Sequence, residues 1–569
     1  MYQKGRKTGL CLSILTCALI ATGANAALKD GVYETTAKGN NGDVVMKTTI
    51  QAGKITAIEV VKSQETPMLG DKAIERLTHQ IIAQQSVGLD VVSGATNSSQ
   101  ATLACVKAAL VKAGGSEKDL KARTEKKKDV AALADATTDV LVVGAGGSGM
   151  AAAIEAQSRG ARVILIEKMP HVGGTTLYST TSFTAGGSRL QMAGDKKFTP
   201  EDFHKKLLVE FPNQDSPNLR QLAQRSGPTV DWLLDMGVDI SKVINNSQHV
   251  SPQGKALGMV LVPVLKKEID RRGIDTRTET KAVDLIIDKN GVVTGAVVQT
   301  PKGQYRIHAR SVVLSTGGFA SNPEMVAKYT PQWAGYPSTA SRGSTGDGLV
   351  LAQKAGAALS HMDIAGPQTV AYDTGKGAVS LTNVRYNGAI IVNREGKRFV
   401  NELGNKNTIG MATKQQTEGI GFLVFDETCL QRGELLKRYK AQGFFVQAKT
   451  PEELAQKLGI DPKGLKATLA DWKVVYDTKK DAQFGRKDSI FSAIDRAPFY
   501  GQKTSPASQV TFGGVTRDTE GRAVTPAGKP IEGLYVSGET ADQLGHGVSI
   551  AITTGRLAGE FAAKHALGK

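Results

Sequence analysis

Two runs rich in β-branched residues, Val45-Val-Met-Lys-Thr-Thr-Ile50 and Ile55-Thr-Ala-Ile-Glu-Val-Val61, flank the turn-forming stretch Gln51-Ala-Gly53-Lys54. This pattern predicts a pair of strands joined by a tight turn. The period then changes. Between Ser99 and Lys112 the apolar positions Ala101, Leu103, Ala104, Val106, Ala108, Ala109 and Leu110 recur at helical spacing. From Gly114 to Ala136 the chain shifts to Lys, Glu, Asp and Ala, with the run Glu125-Lys-Lys-Lys128, which predicts a solvated linker. Beyond it, Asp139-Val-Leu-Val-Val143 is a continuous apolar run of strand length, followed at once by glycines and an alanine-rich helical stretch. No internal repeat and no membrane-spanning run follows in the remainder.

At 569 residues the chain exceeds what one ordinary core accommodates, so two or three domains are expected. A hydrophobic content of 40% with 63 glycines fits a glycine-punctuated α/β enzyme. The N-terminus has a basic head with Lys4, Arg6 and Lys7, a short apolar stretch from about Leu10 to Ala21, and the small-residue end Ala24-Asn25-Ala26. These are the parts of a secretory signal, cleaved after Ala26, and the expectation is a periplasmic protein. The apolar stretch is shorter than the ~20 residues a bilayer span needs. The net charge of +17 falls to +14 without those three basic residues. It would suit anionic small substrates, an anionic membrane surface or an acidic electron-transfer partner. No nucleic-acid-binding motif accompanies it, so no nucleic-acid partner is expected. Of four cysteines, Cys105 and Cys429 lie outside the signal, leaving both a disulfide and two buried thiols open. No Cys-x-x-Cys-His and no zinc spacing occurs, so neither a c-type haem nor a metal site is expected.

The strongest chemical signal begins at Val143-Gly-Ala-Gly-Gly-Ser-Gly149. Gly144 permits a tight turn, Gly146 lets backbone approach a pyrophosphate, and Gly149 lets the following helix pack on the strand. The helix N-terminus offers unpaired N–H groups and partial positive charge to a diphosphate. A second strand, Arg162-Val-Ile-Leu-Ile-Glu167, ends in a carboxylate placed to accept hydrogen bonds from an adenosine ribose. Gly173-Gly174-Thr175-Thr, Ala309-Arg-Ser-Val-Val-Leu-Ser-Thr-Gly-Gly318, Ser344-Thr-Gly346-Asp347-Gly348 and Gly533-Leu-Tyr-Val-Ser-Gly-Glu539 follow in the order of a glutathione-reductase-type FAD fold. Gly174, Thr175, Gly346, Asp347, Glu539 and Ser549 therefore join the candidate cofactor-binding set, and non-covalent FAD is the expected cofactor.

On these motifs, residues 137–569 resemble the soluble fumarate reductase/flavocytochrome c family of FAD-dependent reductases. The N-terminal unit is similar to the FMN-binding domain sometimes fused to it, as in urocanate reductase-like members. Asp90-Val-Val-Ser-Gly-Ala-Thr-Asn-Ser-Ser99 resembles the signature at which a flavin transferase esterifies FMN phosphate to a hydroxyl, here Thr96, so covalent FMN is implied there. Read without the resemblance, Ser93, Thr96 and Ser98 would serve as caps of the helix beginning near Ser99. The implied fold is α/β: a Rossmann FAD-binding domain of glutathione-reductase type, an inserted α+β capping domain, and a small α+β FMN-binding domain. The implied divisions are a signal peptide at 1–26, the FMN-binding domain at 27–114, a charged linker at 115–136, the FAD-binding domain at 137–363 and 509–569, and the cap at 364–508.

The family chemistry is hydride transfer from flavin to an activated C=C, with an acidic side chain protonating the other carbon and arginines and a histidine holding substrate carboxylates. The frame Val384-Arg385-Tyr-Asn-Gly388 through Arg394-Glu-Gly-Lys-Arg398 to Glu402 reads as a strand, a Glu-Gly turn and a second strand, with Arg394 and Arg398 as strand-surface residues. Lys406 stands where the family has its proton-donating arginine. Ser508-Gln509-Val510-Thr511 replaces a His-His-Thr, Gln543 and His546 lie in an apparently shortened loop, and Gly366 to Tyr372 lacks the histidine expected at the start of the cap. Lys406, Arg385, His546 and Tyr372 are the candidate catalytic residues. A clamp without those cations would leave a second carboxylate uncompensated, at a cost of several kcal/mol.

The sequence therefore predicts reduction of an electron-poor alkene other than fumarate, such as an unsaturated monocarboxylate or aromatic acrylate, in anaerobic respiration. Electrons would enter through FMN from a membrane quinol-oxidising cytochrome. The alternatives are a ketosteroid-type dehydrogenase running in the opposite direction and a non-catalytic electron carrier. The cap weighs against the carrier, which has no need of a water-free pocket.

Overall fold

The structure is a computed structural model that describes residues 28–66, 69–92, 94–115, 133–180, 182–194, 197–212, 215–375, 377–542 and 547–569. The expected signal segment, most of the charged linker, Ser93, Gln543 and His546 lie outside the described residues.

The N-terminal unit is a three-stranded antiparallel sheet, β1 (Gly31–Lys38), β2 (Asp43–Gln51) and β3 (Lys54–Lys62), in that order. The alternation in β2 turns Val44, Met46, Thr48 and Ile50 inward. Helices α1 (Gly70–Gln84) and α2 (Thr96–Lys112) cover that face, α2 through Ala101, Cys105 and Val106. The helix α2 begins at Thr96, three residues before the start read from apolar spacing. Its first turn is polar, so the apolar period only becomes visible once the helix meets the sheet.

The central unit is an eight-stranded sheet. Its main path runs Lys281–Ile287, Val293–Thr300, Gly303–Leu314, β4 (Ala136–Val143), β5 (Val163–Ile166) and Asp275–Arg277, with Pro530–Val536 lying parallel to Gly303–Leu314. The strands next to β4 and β5 are parallel, and α3 (Gly147–Ser158) makes the crossover between them. Both β5 and the first ten residues of α3 are buried, which explains their apolar and small-residue composition, broken only by Glu155, which pairs with Arg159 and Arg556. The C-terminal helix Val548–Ala566 lies on α3. A Cβ at Gly555 or Gly559 would come within 2.2 Å of the Ser148 carbonyl or 2.3 Å of the Ala152 carbonyl, so glycine permits the close approach.

A second sheet of six strands, built from residues between Ala365 and Thr511, carries its own apolar clusters around Phe422, Leu465 and Trp472 and around Phe425, Leu436 and Tyr500. Its long strand Phe499–Thr511 carries the chain back toward the first sheet. This is the α+β layer inserted into the FAD-type fold.

The frame from Val384 to Glu402 departs from a strand–turn–strand. Val384 and Arg385 lie in the short helix Thr382–Tyr386, Ile390–Val392 is a strand, and the return forms only the single bridge Val392–Arg398. The Asn393 side chain accepts from the Lys397 N–H at 2.9 Å and closes a tight turn. The chain then leaves the sheet because the Arg398 side chain is drawn inward. Its guanidinium donates to Glu402 at 2.7 Å and to Asp481 at 2.9 Å, and all three residues are buried. Arg398 is thus an internal ion-pair residue, whereas Arg394 stays near the surface and pairs with Glu418 at 2.6 Å.

Candidate functional site

The glycine turn after β4 opens onto a cavity with about 810 Å³ of empty space, continuous with solvent. Gly144 holds φ at +102°, and a Cβ there would lie 2.4 Å from the Ser315 carbonyl. Gly146 precedes α3 and, being glycine, has no side chain to cap it; the Gly147 N–H donates to the Thr176 hydroxyl at 3.3 Å. Gly146, Gly147 and Ser148 line the cavity, so the first turn of α3 presents its N–H groups there. Gly149 does not line it. A Cβ there would fall 1.7 Å from the Gly144 carbonyl, so its place is the packing of helix on turn.

Glu167 follows β5 and reaches the cavity wall, accepting from the Ala145 and Met169 N–H groups at 2.8 Å each. Burial pushes its carboxyl above the usual range, and those two N–H groups work against the rise. Gly174, Thr175, Asp347 and Glu539 also line the cavity. Burial works against the charge of Asp347, but Lys168 at 2.5 Å and Lys281 at 3.3 Å outweigh it and hold the carboxyl below its ordinary value. Glu539 is pushed up to about 7 by burial. Gly346, at φ +78°, precedes the helix Asp347–Lys354 and positions Asp347 without lining the cavity, and the buried Ser549 does not line it either.

The lining residues outside the sequence motifs include Lys168, Lys281 and Ser341. Lys168 adjoins the ribose acid and could have been flagged from that position. Lys281 arrives because the Thr280 N–H donates to the Glu167 carbonyl at 2.8 Å, a long-range contact without a local signature. A glycine-floored cavity, a helix N-terminus opening onto it and a buried acid at the end of the second strand together fit an adenine dinucleotide such as FAD.

In the N-terminal unit, Thr96 is the first residue of the 17-residue α2 and is partly exposed. No side chain caps α2. The Ser98 hydroxyl donates to the buried Glu65 carboxylate, and Ser99 donates to the Ala95 carbonyl at 2.8 Å. The neighbouring hydroxyls are thus engaged elsewhere, and Thr96 stands at an open helix N-terminus suited to a phosphate.

Three of the candidate catalytic residues, Lys406, Arg385 and Tyr372, lie in the inserted layer, and none of these three lines the dinucleotide cavity. Lys406 opens the helix Lys406–Lys414, half-buried, behind the capping side chain of Asn405. Arg385 is 1% exposed; one nitrogen donates to the Glu402 carbonyl, while Nε has no hydrogen-bond partner. Burial lowers its pKa. Tyr372 packs with Phe444, ring centroids 5.7 Å apart, in the apolar cluster of that layer. Gly366 lies opposite Val510 and Pro367 opposite Ser508. The two stretches in which the family carries histidines are therefore adjacent strands here. From Ala365 to Tyr372 and from Thr504 to Thr511 this pair of strands contains no Lys, Arg or His. Cys105 and Cys429 are separate buried thiols.

Comparison with known proteins places this architecture. The FAD binding domain family matches residues 139–551, and the FMN-binding domain family matches residues 39–111. An NADH:fumarate oxidoreductase of Klebsiella pneumoniae (strain 342) is 31% identical over 559 residues, 96% of this chain; the chain spans 60% of that relative's length. A fumarate reductase (cytochrome) of Shewanella frigidimarina is 37% identical over 461 residues, covering 78% of this chain and 80% of its own. The open conformation of a flavocytochrome c3 fumarate reductase superposes with a TM-score of 0.70 at 30% identity, over 79% of this chain and 84% of that one. The chain belongs to the fumarate-reductase-like family of flavoproteins, with an FAD-binding domain and an FMN-binding domain in one polypeptide.

Proposed function

We propose that this protein is an exported reductase of electron-poor C=C bonds whose natural substrate carries one carboxylate or none, and that it serves anaerobic respiration. When bound, FAD supplies the hydride and FMN on Thr96 supplies a relay for electrons from a membrane quinol-oxidising cytochrome. A flavin transferase loads the FMN during maturation.

The observation that carries the substrate reading is the cation-free pair of strands, Ala365–Tyr372 against Thr504–Thr511. A dicarboxylate needs a counter-charge at each end, and an unpaired buried carboxylate costs several kcal/mol. Arg385, with its unused Nε donor, suits one carboxylate or carbonyl. Lys406 delivers the proton, its stem held at the start of a helix. Tyr372 and His546 take up an aromatic or hydroxylated part of the substrate.

The test is oxidation of dithionite-reduced methyl viologen by flavin-loaded protein, screened with urocanate, cinnamates, acrylates and uncharged enones. Turnover with members of this panel supports the reductase. Silence across the panel, together with flavin reduction by a saturated ketone substrate, would establish the dehydrogenase direction instead.

A further inference from the structure

Among the described residues, the FMN-binding unit shares apolar packing with the rest of the chain, and three further contacts bear on the surroundings of Thr96. Arg76 pairs with Glu279 of the FAD-binding unit at 2.9 Å. The Gln442 amide of the inserted layer donates to Asn41 at 3.1 Å and to the Asn40 carbonyl. The third contact is the turn before Thr96. A Cβ on Gly94 would lie 3.0 Å from His171 Nε2 and 3.5 Å from the Tyr178 hydroxyl, and Gly94 itself holds φ at +85°. Only glycine meets both the backbone angle and the space.

Tyr178 closes the short 3-10 segment Gly174–Tyr178, whose first three residues line the dinucleotide cavity. At about 2 Å rise per residue, the tyrosine is only about 4 Å along that helix from the cavity wall. Tyr178 as a residue is 39% exposed beside the buried His171, although burial of its hydroxyl end raises the phenol's pKa, and a large aromatic partly exposed at such a junction has unfilled contact area. Thr96 lies two residues beyond Gly94, at the open end of α2.

We propose that Tyr178 is a positioning residue: its exposed ring is the platform on which the isoalloxazine of FMN tethered at Thr96 is seated, between the attachment turn and the FAD cavity. This inference rests on the reading of Thr96 as the FMN-bearing residue. Flavin rings stack on aromatic side chains with the offset geometry of other aromatic pairs. The platform belongs to the FAD-binding unit, so a ring seated on it would be held against that unit as well as at Thr96.

Mass spectrometry of the Thr96 peptide is the first measurement, since absence of an FMN mass there overturns the Thr96 reading itself. In protein shown to carry that mass, iodide quenching of flavin fluorescence reports exposure of the FMN ring, with Thr96→Ala protein as the FAD-only background. The expected result is slow quenching in the parent and in Tyr178→Phe, and at least fivefold faster quenching in Tyr178→Ala with its FAD content unchanged. Equal quenching of parent and Tyr178→Ala would overturn the platform while leaving FMN on Thr96 intact. Loss of protection in Tyr178→Phe as well would also overturn it, because a ring surface would then not be what seats the flavin.

Discussion

Arg398 and Glu402 form an ion pair of 2.7 Å in which both side chains are almost wholly excluded from solvent. Glu402 also accepts from Arg486 at 3.1 Å, and Asp481 takes the other side of Arg398 at 2.9 Å. The guanidinium groups of Arg398 and Arg486 thus share two carboxylates, while Arg385 donates to the Glu402 backbone carbonyl. Removing one carboxylate leaves buried charge uncompensated, which costs about 3–5 kcal/mol. Glu402→Ala is therefore expected to lower the unfolding free energy by that amount in urea denaturation. A loss below 1 kcal/mol would mean that the cluster relaxes or admits water.

The dinucleotide cavity gives a prediction with two arms. The nearest atom to a Cβ on Gly146 is Gly174 Cα at 4.0 Å, and Gly146 has an extended conformation open to alanine. Gly146→Ala should fold with stability within about 1 kcal/mol of the parent yet lose FAD, because the methyl group occupies the space of the pyrophosphate. Gly149→Ala should destabilise the fold itself, since its Cβ would be 1.7 Å from the Gly144 carbonyl. Thermal denaturation and flavin content after purification separate the two outcomes.

Glu539 makes stability of the FAD-free protein depend on pH. Its carboxyl is raised from 4.5 to about 7 by burial, so the folded state binds the proton more tightly than the unfolded state. The associated stability is complete below pH 4.5 and is lost as pH rises through 7, a change on the order of 3 kcal/mol. Denaturation of apoprotein across this window should show the decline, and Glu539→Gln should reduce it by about that amount, leaving the part that the buried Glu167 contributes in the same direction.

Lys406 is half-buried at a helix start and contributes little to the core. As proton donor its removal should lower kcat by about 10²–10⁴-fold. Lys406→Met is expected to show that loss with the melting temperature nearly unchanged, and Lys406→Arg to recover part of it. A kcat within threefold of the parent would assign protonation to another group.

Much of the FAD architecture was legible because its chemistry is local. Gly144, Gly146, Gly149 and Glu167 lie within one strand–helix–strand unit, so spacing alone carries their roles. The same holds for β2 and β3, whose hairpin is a matter of neighbouring residues. The start of α2 was misplaced because Thr96 to Ser98 are polar and only backbone geometry makes them helical. Arg398 was misjudged for a different reason. Its partner Asp481 is 83 residues away, and no periodicity announces a buried ion pair across such a separation. Lys281 entered the cavity wall by the same kind of distant contact, and so did the seat of Gly94 against His171 and Tyr178.

The proposed substrate class rests on the cation-free strands Ala365–Tyr372 and Thr504–Thr511, so the decisive measurement compares fumarate with a singly charged alkene of similar size. Steady-state kcat/KM for fumarate and for crotonate, with the same reduced viologen and the same flavin-loaded protein, gives that comparison directly. The structure predicts crotonate ahead by at least about 100-fold, the equivalent of roughly 3 kcal/mol for one uncompensated carboxylate. Equal values, or fumarate ahead, would contradict the account and place a second cation at the substrate that the strands Ala365–Tyr372 and Thr504–Thr511 do not supply.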